Sequence, residues 1–536
     1  MTHRYTSVLM FLLLLAASSA TAQVQYSINN YMRYGNGEQV VGGVAQPKEY
    51  IENQANVRLF WNDFTLGFEH LYDDPPEFGP NFVGIRKRYI EFSRSGLELR
   101  AGDFYTLYGK GLAMNLFENR GINYDTRLDG IRGTYRNEWG NAVFAMGKMR
   151  YYDLLNSDRI ETYSVKSGHL ELRPHDIISI GASIVSANGE LPSAFGIDQV
   201  HADIPEVMIT ARYGGFDLHV QKAFKRSTFL RPQPNGSFVS GAAYGDGTYG
   251  SLSFTSDVGL GVTLEYKDYK FDVVGEEERD PNRPSRMLPM QNPPIVHKEH
   301  VFTLLSRNPH VADFNDEVGF QADVYYAVTP EITINVNGSM ASRHFGYSQS
   351  NGFLTTWDRE NRLLPTLDAK FSPFWELYAE VEWYFEGESF IRAAFNRRYD
   401  APYEGNLAHV QASTTLPVRI EYMLNEHYSV GVNLEQQFYQ DSFNRDTPTF
   451  YNQFVSFTLA RASAWSATVR MEYTTDKGDA SGKDFWRAAE FAYRIGNDHT
   501  ATISYGTERG GLICSSGVCR ELLPFDGVKL SLMSQL

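Results

Sequence analysis

The sequence predicts an all-β protein, namely a transmembrane antiparallel up-and-down β-barrel of about 24 strands, with 22 to 26 as the range. Three observations favour this fold. Apolar and polar residues alternate in segment after segment, which is the period of a strand whose two faces meet different surroundings. Tight turns and longer loops alternate between those segments. Aromatic residues make up 14% of the 536 residues, which suits aromatic girdles at two membrane interfaces.

The N-terminus has the pattern of a secretory signal peptide. Arg4 lies in a short polar region, an apolar stretch follows, and Ala20-Thr21-Ala22 is a cleavage sequence. The apolar stretch is too short for a stable membrane-spanning helix. We therefore predict a signal peptide at residues 1–22 and a single barrel domain at residues 23–536. The residue after the cleavage point is Gln23 rather than Cys, so a lipid anchor is not expected.

The segment "FWELYAEVEWYFEGESFIRAAFNRRYD" shows the alternation most clearly. Its apolar face carries Trp375, Leu377, Ala379, Val381, Trp383 and Phe385. A three-residue turn at 386–388 places Glu382 opposite Arg392 and Glu376 opposite Arg398, and such cross-strand pairs of opposite charge are favourable. We expect the apolar face to contact lipid and the polar face to line the lumen. The predicted lumen-lining residues are Glu376, Glu380, Glu382, Arg392, Arg398, Arg470 and Glu472.

The connections between the alternating segments differ in length on the two rims. Tight turns of Gly, Asn, Asp, Pro and Ser recur at every second connection, as at Asn62-Asp63 and Gly496-Asn497-Asp498. The connections between them are predicted at 36–52, 73–86, 107–127, 152–159, 189–203, 227–245, 271–315, 343–372, 400–405, 440–448, 475–484 and 508–526. Short periplasmic turns and long extracellular loops are typical of outer-membrane barrels. A soluble sandwich or propeller would have similar turns at both ends, or a repeat.

The mature chain resembles Gram-negative outer-membrane barrels of the porin-like type. The stretch "AGDFYTLYGKGLAMNLFENRGINYDTRLDGIRGTY" and the C-terminal "GGLICSSGVCRELLPFDGVKL" resemble an uncharacterised family of predicted outer-membrane proteins. The resemblance implies the bacterial cell outer membrane as location. It implies the lipid bilayer, lipopolysaccharide and the outer-membrane assembly machinery as partners, with other envelope proteins as further candidates. One departure is the last residue, Leu536, where many such barrels end in an aromatic residue.

Something must narrow the lumen of so large a barrel. Alternation starts at Val24, which leaves no room for an N-terminal plug and disfavours TonB-dependent transporters. We predict that the loop 107–127 folds inward as a constriction, because opposed charges across a pore orient and select solutes. Its charged residues are Lys110, Arg120, Asp125, Arg127 and, at its edge, Asp129. The alternative is an ordinary exposed loop.

The two cysteines, Cys514 and Cys519, lie in the sequence CSSGVC. In an oxidising exported compartment a small disulfide loop is expected, and two free thiols are the alternative. The spacing excludes a CxxC redox site.

Metal binding and catalysis are not predicted. His297-x-x-His300 lies in the 271–315 loop with His310 and the acidic triplet 276–278, but nothing fixes a third metal ligand, and stray histidines are common in such loops. No G-x-S-x-G motif occurs in the context of a nucleophile elbow. We expect no enzyme activity, no cofactor and no resident metal.

The sequence favours passive passage of small hydrophilic solutes through a polar lumen. The alternative is a non-conducting barrel that serves as a structural or secretion-complex subunit of the envelope. The formal net charge of −15 disfavours nucleic-acid binding and hints at a preference for cations.

Overall fold

A computed structural model describes residues 24–152, 160–193, 196–271, 288–350, 353–356, 360–404 and 407–536. The predicted signal peptide and the acidic triplet 276–278 lie outside the described residues.

The chain is built almost entirely of strands. In chain order they are β1 (Gln25–Val41), β2 (Val44–Trp61), β3 (Phe64–Asp73), β4 (Phe82–Arg94), β5 (Leu97–Phe104), β6 (Glu118–Asn119), β7 (Tyr124–Asp125), β8 (Leu128–Asn137), β9 (Gly140–Tyr152), β10 (Ile160–His175), β11 (Ile178–Ser193), β12 (Gly196–Tyr213), β13 (Phe216–Pro232), β14 (Phe238–Thr255), β15 (Leu260–Lys270), β16 (Glu317–Ala327), β17 (Ile332–Ser342), β18 (Tyr347–Ser350), β19 (Phe353–Thr356), β20 (Phe374–Phe385), β21 (Ser389–Asp400), β22 (Tyr403–Glu404), β23 (Leu407–Ala408), β24 (Gln411–Met423), β25 (Tyr428–Asp441), β26 (Thr449–Arg461), β27 (Trp465–Thr474), β28 (Phe485–Ile495), β29 (His499–Glu508), β30 (Gly511–Ser515), β31 (Val518–Leu522) and β32 (Phe525–Gln535). The described helical turns are α1 (Thr303–Ser306) and the 3-10 turns Arg120–Ile122 and Ala369–Phe371.

Twenty-four of the described strands form one closed antiparallel sheet, which confirms the predicted barrel and strand number. Each strand pairs with its neighbour along the chain, and β1 closes the barrel against β32, from Asn29 opposite Gln535 to Gln39 opposite Phe525. The other eight strands form four short hairpins within the connections: β6–β7, β18–β19, β22–β23 and β30–β31. Closure leaves the sheet without an edge, so every strand has a partner on both sides.

The two rims differ as predicted, but three predicted long loops are mostly strand. The connection predicted at 36–52 is a two-residue turn at Gly42-Gly43, since β1 and β2 are 17 and 18 residues long. Likewise, β11 and β12 run through most of 189–203, and β13 and β14 through most of 227–245. These strands exceed the ~9–11 residues that cross a bilayer, so they project beyond it on the long-loop side.

The outer surface carries an apolar band. On β20 the side chains of Leu377, Val381 and Trp383 are 45–47% exposed, while the alternating Glu376 and Tyr378 are buried. Apolar outward faces around a closed sheet are the requirement for crossing lipid with strands. The architecture is that of a bacterial outer-membrane barrel. Among the described residues, no helix is long and apolar enough to span a membrane.

The apolar positions change sides partway along the projecting strands. In β11, Ile180 and Ile184 face outward and are more than half exposed, whereas Val185, Ala187 and Leu191 face inward and are fully buried. The first part of the strand borders lipid, and the second borders an apolar interior. The sheet is continuous across the change, because the register from β11 to β12 runs without a break.

A hydrophobic core therefore lies inside one side of the barrel, against the inner wall of β9–β15. Its buried members come from the wall and from two inward-folded connections: Phe104, Tyr108, Leu112, Ala113, Met114, Leu116, Leu128, Ala145, Met149, Tyr163, Val165, Val185, Ala187, Leu191, Ala202, Ile204, Ala223, Tyr249, Tyr269, Phe271, Leu288, Met290 and Val296. The expectation of a uniformly polar interior holds on only one side of the barrel.

Candidate functional site

Three connections of the long-loop rim fold into the barrel. We call them the first inner loop (105–127, between β5 and β8), the second inner loop (288–316, between β15 and β16) and the inner hairpin (β30–β31, residues 511–522). The wall residues that they contact alternate along the strands with the lipid-facing ones. Together they form the candidate functional site, because they determine what passes through the barrel.

The first inner loop is held to the apolar side of the wall by hydrogen bonds within the core. The hydroxyl of Tyr108 lies 2.8 Å from that of Ser167 on β10. The amide of Ala113 donates to Glu206 on β12 at 2.9 Å. The amide of Lys110 donates to Gln221 on β13 at 2.8 Å. Backbone donors thus pair with buried wall side chains, which fixes the position of the loop.

The same loop meets β3 and β4 through ion pairs. Arg86 contacts Glu69 on the wall at 2.9 Å, and Glu118 and Asp125 of the loop at 2.5 and 2.6 Å. Burial raises the pKa of Asp125, but the guanidinium groups of Arg127 and Arg86 outweigh this effect and hold the pKa below its usual value. The loop therefore stays charged where it meets this part of the wall.

The predicted constriction residues separate into two groups. Arg120 pairs with Glu52 of β2, and Arg127 pairs with Asp125 of the loop and with Asp103 at the end of β5. Asp129 is different: it is on β8 with the outward phase of Ile131, opposite Lys148. The prediction for Asp129 was wrong. β8 begins at Leu128, whose side chain is buried in the interior core, so the alternation along the strand turns the Asp129 carboxylate away from the lumen.

The second inner loop crosses from the β15 side of the barrel to the opposite wall. On the β15 side, the side chain of Lys267 donates a hydrogen bond to the carbonyl of Ile295 in this loop, at 2.8 Å. At its far end Arg307 reaches Glu472 on β27 at 2.8 Å. Between these ends, Glu435 on β25 accepts the amide hydrogens of residues 303 and 304 at 2.9 and 2.7 Å.

The histidines of this loop bind wall carboxylates. His300 contacts Glu376 at 3.1 Å, and His310 contacts Asp400 at 2.7 Å. Burial lowers the pKa of His310, but the carboxylates of Asp400 and Glu317 outweigh it and raise the pKa to about 9. Burial and the neighbouring His310 hold the pKa of His297 well below its usual range. Among the described residues, no group of three or more His, Cys, Asp or Glu side chains is arranged to hold a metal ion.

The inner hairpin joins the other two elements. Cys514 and Cys519 form a disulfide across it. The amide of Ser516 donates to Glu299 of the second inner loop at 2.7 Å, and Arg520 donates to the carbonyl of Ile122 of the first at 3.2 Å. The three elements are thus one connected assembly inside the barrel.

The predicted lumen residues face this assembly. The hairpin register is confirmed, with Glu376 opposite Arg398 and Glu382 opposite Arg392. Arg392 contacts Glu382 at 2.9 Å, within the wall. Arg398 contacts Glu376 at 2.8 Å and also the carbonyl of Asn308 at 3.1 Å. Glu380 lies 3.8 Å from Arg392, Arg470 lies 2.6 Å from Glu508, and Glu472 holds Arg307.

A chamber of about 300 Å³ remains between the second inner loop, the inner hairpin and the wall of β26–β29, β32, β1 and β2. It is bordered by residues near the long-loop rim, among them Lys48 and the inner hairpin, and lies opposite the apolar core. Its charged lining residues are Lys48, Glu77, Arg307, Arg470, Glu472, Glu508, Arg509 and Lys529. The chamber is a polar part of the interior, and it lies across the barrel from the part that apolar side chains fill.

Sequence reasoning missed the second inner loop as an occluding element. The loop carries aromatic and aliphatic residues that pack inside the barrel, among them Leu288, Met290, Phe302 and Leu305. Such a density of apolar residues in a supposedly exposed loop was the signal that could have found it.

Three solved structures that resemble this fold are remote from the chain in sequence. The siderophore receptor PirA from Pseudomonas aeruginosa is 8% identical, with a TM-score of 0.46 over 95% of this chain and 80% of that one. The copper transporter OprC is 10% identical, with a TM-score of 0.44 over 97% and 81%. The P pilus usher PapC translocation pore is 8% identical, with a TM-score of 0.43 over 95% and 99%.

No curated protein matches the sequence. A family model does, and it spans the full length of the chain. It describes a family of unknown function, DUF6029, and covers residues 1–536. The closed barrel with its inward-folded connections is therefore the architecture of a chain that belongs to this family of unknown function.

Proposed function

We propose that this protein is an outer-membrane channel through which small hydrophilic solutes pass by diffusion, without a catalytic step. The route is the polar half of the barrel interior, and the inner loops and hairpin restrict it. The observation that supports the proposal is the charged chamber of about 300 Å³ beside β26–β29. Charged groups in such a position replace part of the hydration of a passing solute.

The contacts of the assembly differ on the two sides of the barrel. Towards β9–β15 they are buried and apolar, so separating them exposes hydrocarbon to water at ~25 cal/mol per Å². Towards β20–β29 most of them are ion pairs and hydrogen bonds, as between Arg307 and Glu472, beside a small apolar cluster of Phe302, Leu305 and Tyr378. Water that enters the passage can hydrogen-bond to these polar groups as they separate, whereas it cannot replace apolar packing. The passage therefore widens on the polar side, while the apolar side stays closed.

The alternative is a non-conducting barrel that acts as a subunit of an envelope complex. It is favoured by the second inner loop, which bridges the wall from β15 to β27. In that case the loops fill the lumen permanently, and other envelope proteins bind the long-loop rim.

Conductance in planar bilayers tests the proposal. The purified chain should show stable ohmic openings. Glu435→Ala removes the acceptor of two loop amide hydrogens, and the loss of each leaves a buried donor unpaired at ~1–3 kcal/mol. This variant should release the loop and raise the single-channel conductance. The matched control is Glu91→Ala. Glu91 is also an inner-wall carboxylate, but it pairs with Arg100 of the wall, at 2.6 Å, rather than with the loop.

If neither the wild type nor Glu435→Ala conducts in planar bilayers, the channel is excluded. If the silent barrel then co-purified with envelope proteins, the alternative would be supported. A wild type that is silent while Glu435→Ala conducts would mean that the second inner loop is a gate. In each case the control should match the wild type.

A further inference from the structure

The charge of the chamber is opposite to that of the whole chain. Among the described residues, its lining carries five cations and three carboxylates, although the formal net charge of the chain is −15. The local field acts on a solute over a Debye length of ~8 Å, so the lining decides selectivity rather than the total charge. The preference for cations that the total charge suggests is therefore not expected in this chamber.

The carboxylates of the chamber are shared between cations. Glu508 lies between Arg470 at 2.6 Å and Lys529 at 2.5 Å. Glu472 likewise forms ion pairs with two cations, Arg307 and Arg509, the latter at 2.8 Å. Arg509 also meets Asp479, outside the lining, at 2.8 Å. Glu472 and Glu508 thus each face two cations. With Asp479 included, three carboxylates oppose four cations in these pairs, which leaves one positive charge in excess.

Two donors at the chamber have no anionic acceptor. The side chain of Lys48 donates to the carbonyls of Pro76 and Glu77 at 2.8 and 3.0 Å, and within the described residues no carboxylate lies at ion-pair distance from it. Trp486 is 2% exposed, and its indole N–H has no hydrogen-bond partner among the described residues. An indole nitrogen donates only, and buried donors in folded proteins almost always have an acceptor.

Aromatic residues form much of the rest of the lining. Tyr50, Phe454, Trp486 and Phe525 all belong to it and are less than 10% exposed. Arg509 lies over the ring of Trp486, 4.8 Å from its centroid. Small-molecule sites usually combine aromatic or apolar surfaces with polar groups that orient the ligand, and 300 Å³ is at the lower end of their usual range of ~300–1,000 Å³.

We propose that this chamber binds a small organic anion that bears carboxylate or phosphate groups, as the first step of its passage. Its acidic oxygens would accept from the unpaired indole N–H and from the excess cations, while its carbon skeleton lies on the aromatic lining. The role in passage rests on the proposed channel function, but the binding itself does not.

Binding of citrate, glucose 6-phosphate and glucose to the full chain in detergent micelles tests this inference. Titration calorimetry gives the affinity. Because the chain has seven tryptophans, the environment of Trp486 is read from the difference in fluorescence between the wild type and Trp486→Phe. The two anions should bind and glucose should not, and whichever anion binds more tightly identifies carboxylate or phosphate as the preferred group. Equal binding of glucose and both anions, or no binding of either anion, would overturn the proposal.

Variants locate the site. Trp486→Phe keeps a ring but removes the donor, and a hydrogen bond to a charged group is worth ~1.5–3 kcal/mol, so anion affinity should fall at least tenfold. Lys48→Gln should weaken binding in the same direction. Lys483→Gln is the matched control, because Lys483 pairs with Asp526 at 2.9 Å and does not line the chamber. Equal loss in the control, or no loss in Trp486→Phe, would place the anion elsewhere.

The comparison with conductance separates the two proposals. A chain that binds citrate but stays silent in bilayers contradicts the channel and leaves the anion site intact. A chain that conducts, prefers cations and binds no anion contradicts the anion site and leaves the channel intact. Heat-modifiable migration on a gel verifies that each variant is a folded barrel.

Discussion

The substitution Val381→Arg tests which face of β20 meets lipid. Trp375 and Phe385 on the outward face are ten residue steps apart, and with a rise of ~3.3 Å and a tilt of ~35–45° this distance covers the ~25 Å apolar band. Val381 lies one position from the centre of that interval and is 45% exposed. An arginine there should cost about 2–4 kcal/mol, the range for a basic residue at the midplane.

That cost corresponds to a folding equilibrium about 30- to 1000-fold less favourable. Reversible urea unfolding in lipid vesicles, followed by tryptophan fluorescence, measures it. Tyr384→Arg is the control, because Tyr384 has the inward phase of the same strand and opposes Phe390. Trp383→Ala should cost only about 1 kcal/mol, mainly through the lost ring pair with Phe385, whose centroid is 5.1 Å away. If Val381→Arg were tolerated as well as Tyr384→Arg, Val381 would not face lipid and the assignment of the outward face would be refuted.

Three further predictions concern the inner assembly. The pKa of His310 is raised to about 9 by Asp400 and Glu317, so its contribution to stability is complete below pH 6.5 and is lost as the pH rises through 9. Conductance should therefore increase over that window, and His310→Phe should flatten the profile; an unchanged profile would contradict the assignment. Gly517→Ala places a Cβ against Phe314 in a backbone with φ +78°, so the inner hairpin should detach and become more accessible to protease; protection equal to the wild type would count against this packing. Reduction of the disulfide should also increase protease access to the hairpin but leave heat-modifiable migration unchanged, because the bond lies outside the barrel sheet.

The membrane-spanning part of the fold could be predicted from the sequence because lipid imposes one rule along the whole crossing. Alternation and a three-residue turn were enough to place Glu382 opposite Arg392, and the structure has that register. The tight turns likewise set the number of strands. A slip by one residue would turn charges towards lipid, so few registers compete.

The projecting strands could not be predicted by the same rule. In β11 the apolar residues occupy even positions up to Ile184 and odd positions from Val185, since the apolar surroundings change from lipid to the interior core. In a sequence, such a change of phase looks like the end of a strand. The predicted loop 189–203 is the result of that ambiguity.

The candidate site was predicted in part. The first inner loop was expected from the size of the barrel, and its opposed charges were expected to orient and select solutes. The chamber depends on contacts between distant parts of the chain, such as Arg307 with Glu472, and no local pattern reveals them. Nor does any local pattern distinguish Trp486 from the aromatic residues of the girdles, whereas the structure buries its indole beside Arg509.

The one-sided core has a mechanical consequence. The wall of β9–β15 is braced from within by close-packed side chains, which resist deformation as the interior of a globular protein does. The opposite wall is held by polar contacts around an open volume, so it is the more compliant half. Lateral pressure from the bilayer should therefore flatten the cross-section on the side of β26–β29, and amide hydrogen exchange should be fastest in the loops that line that side.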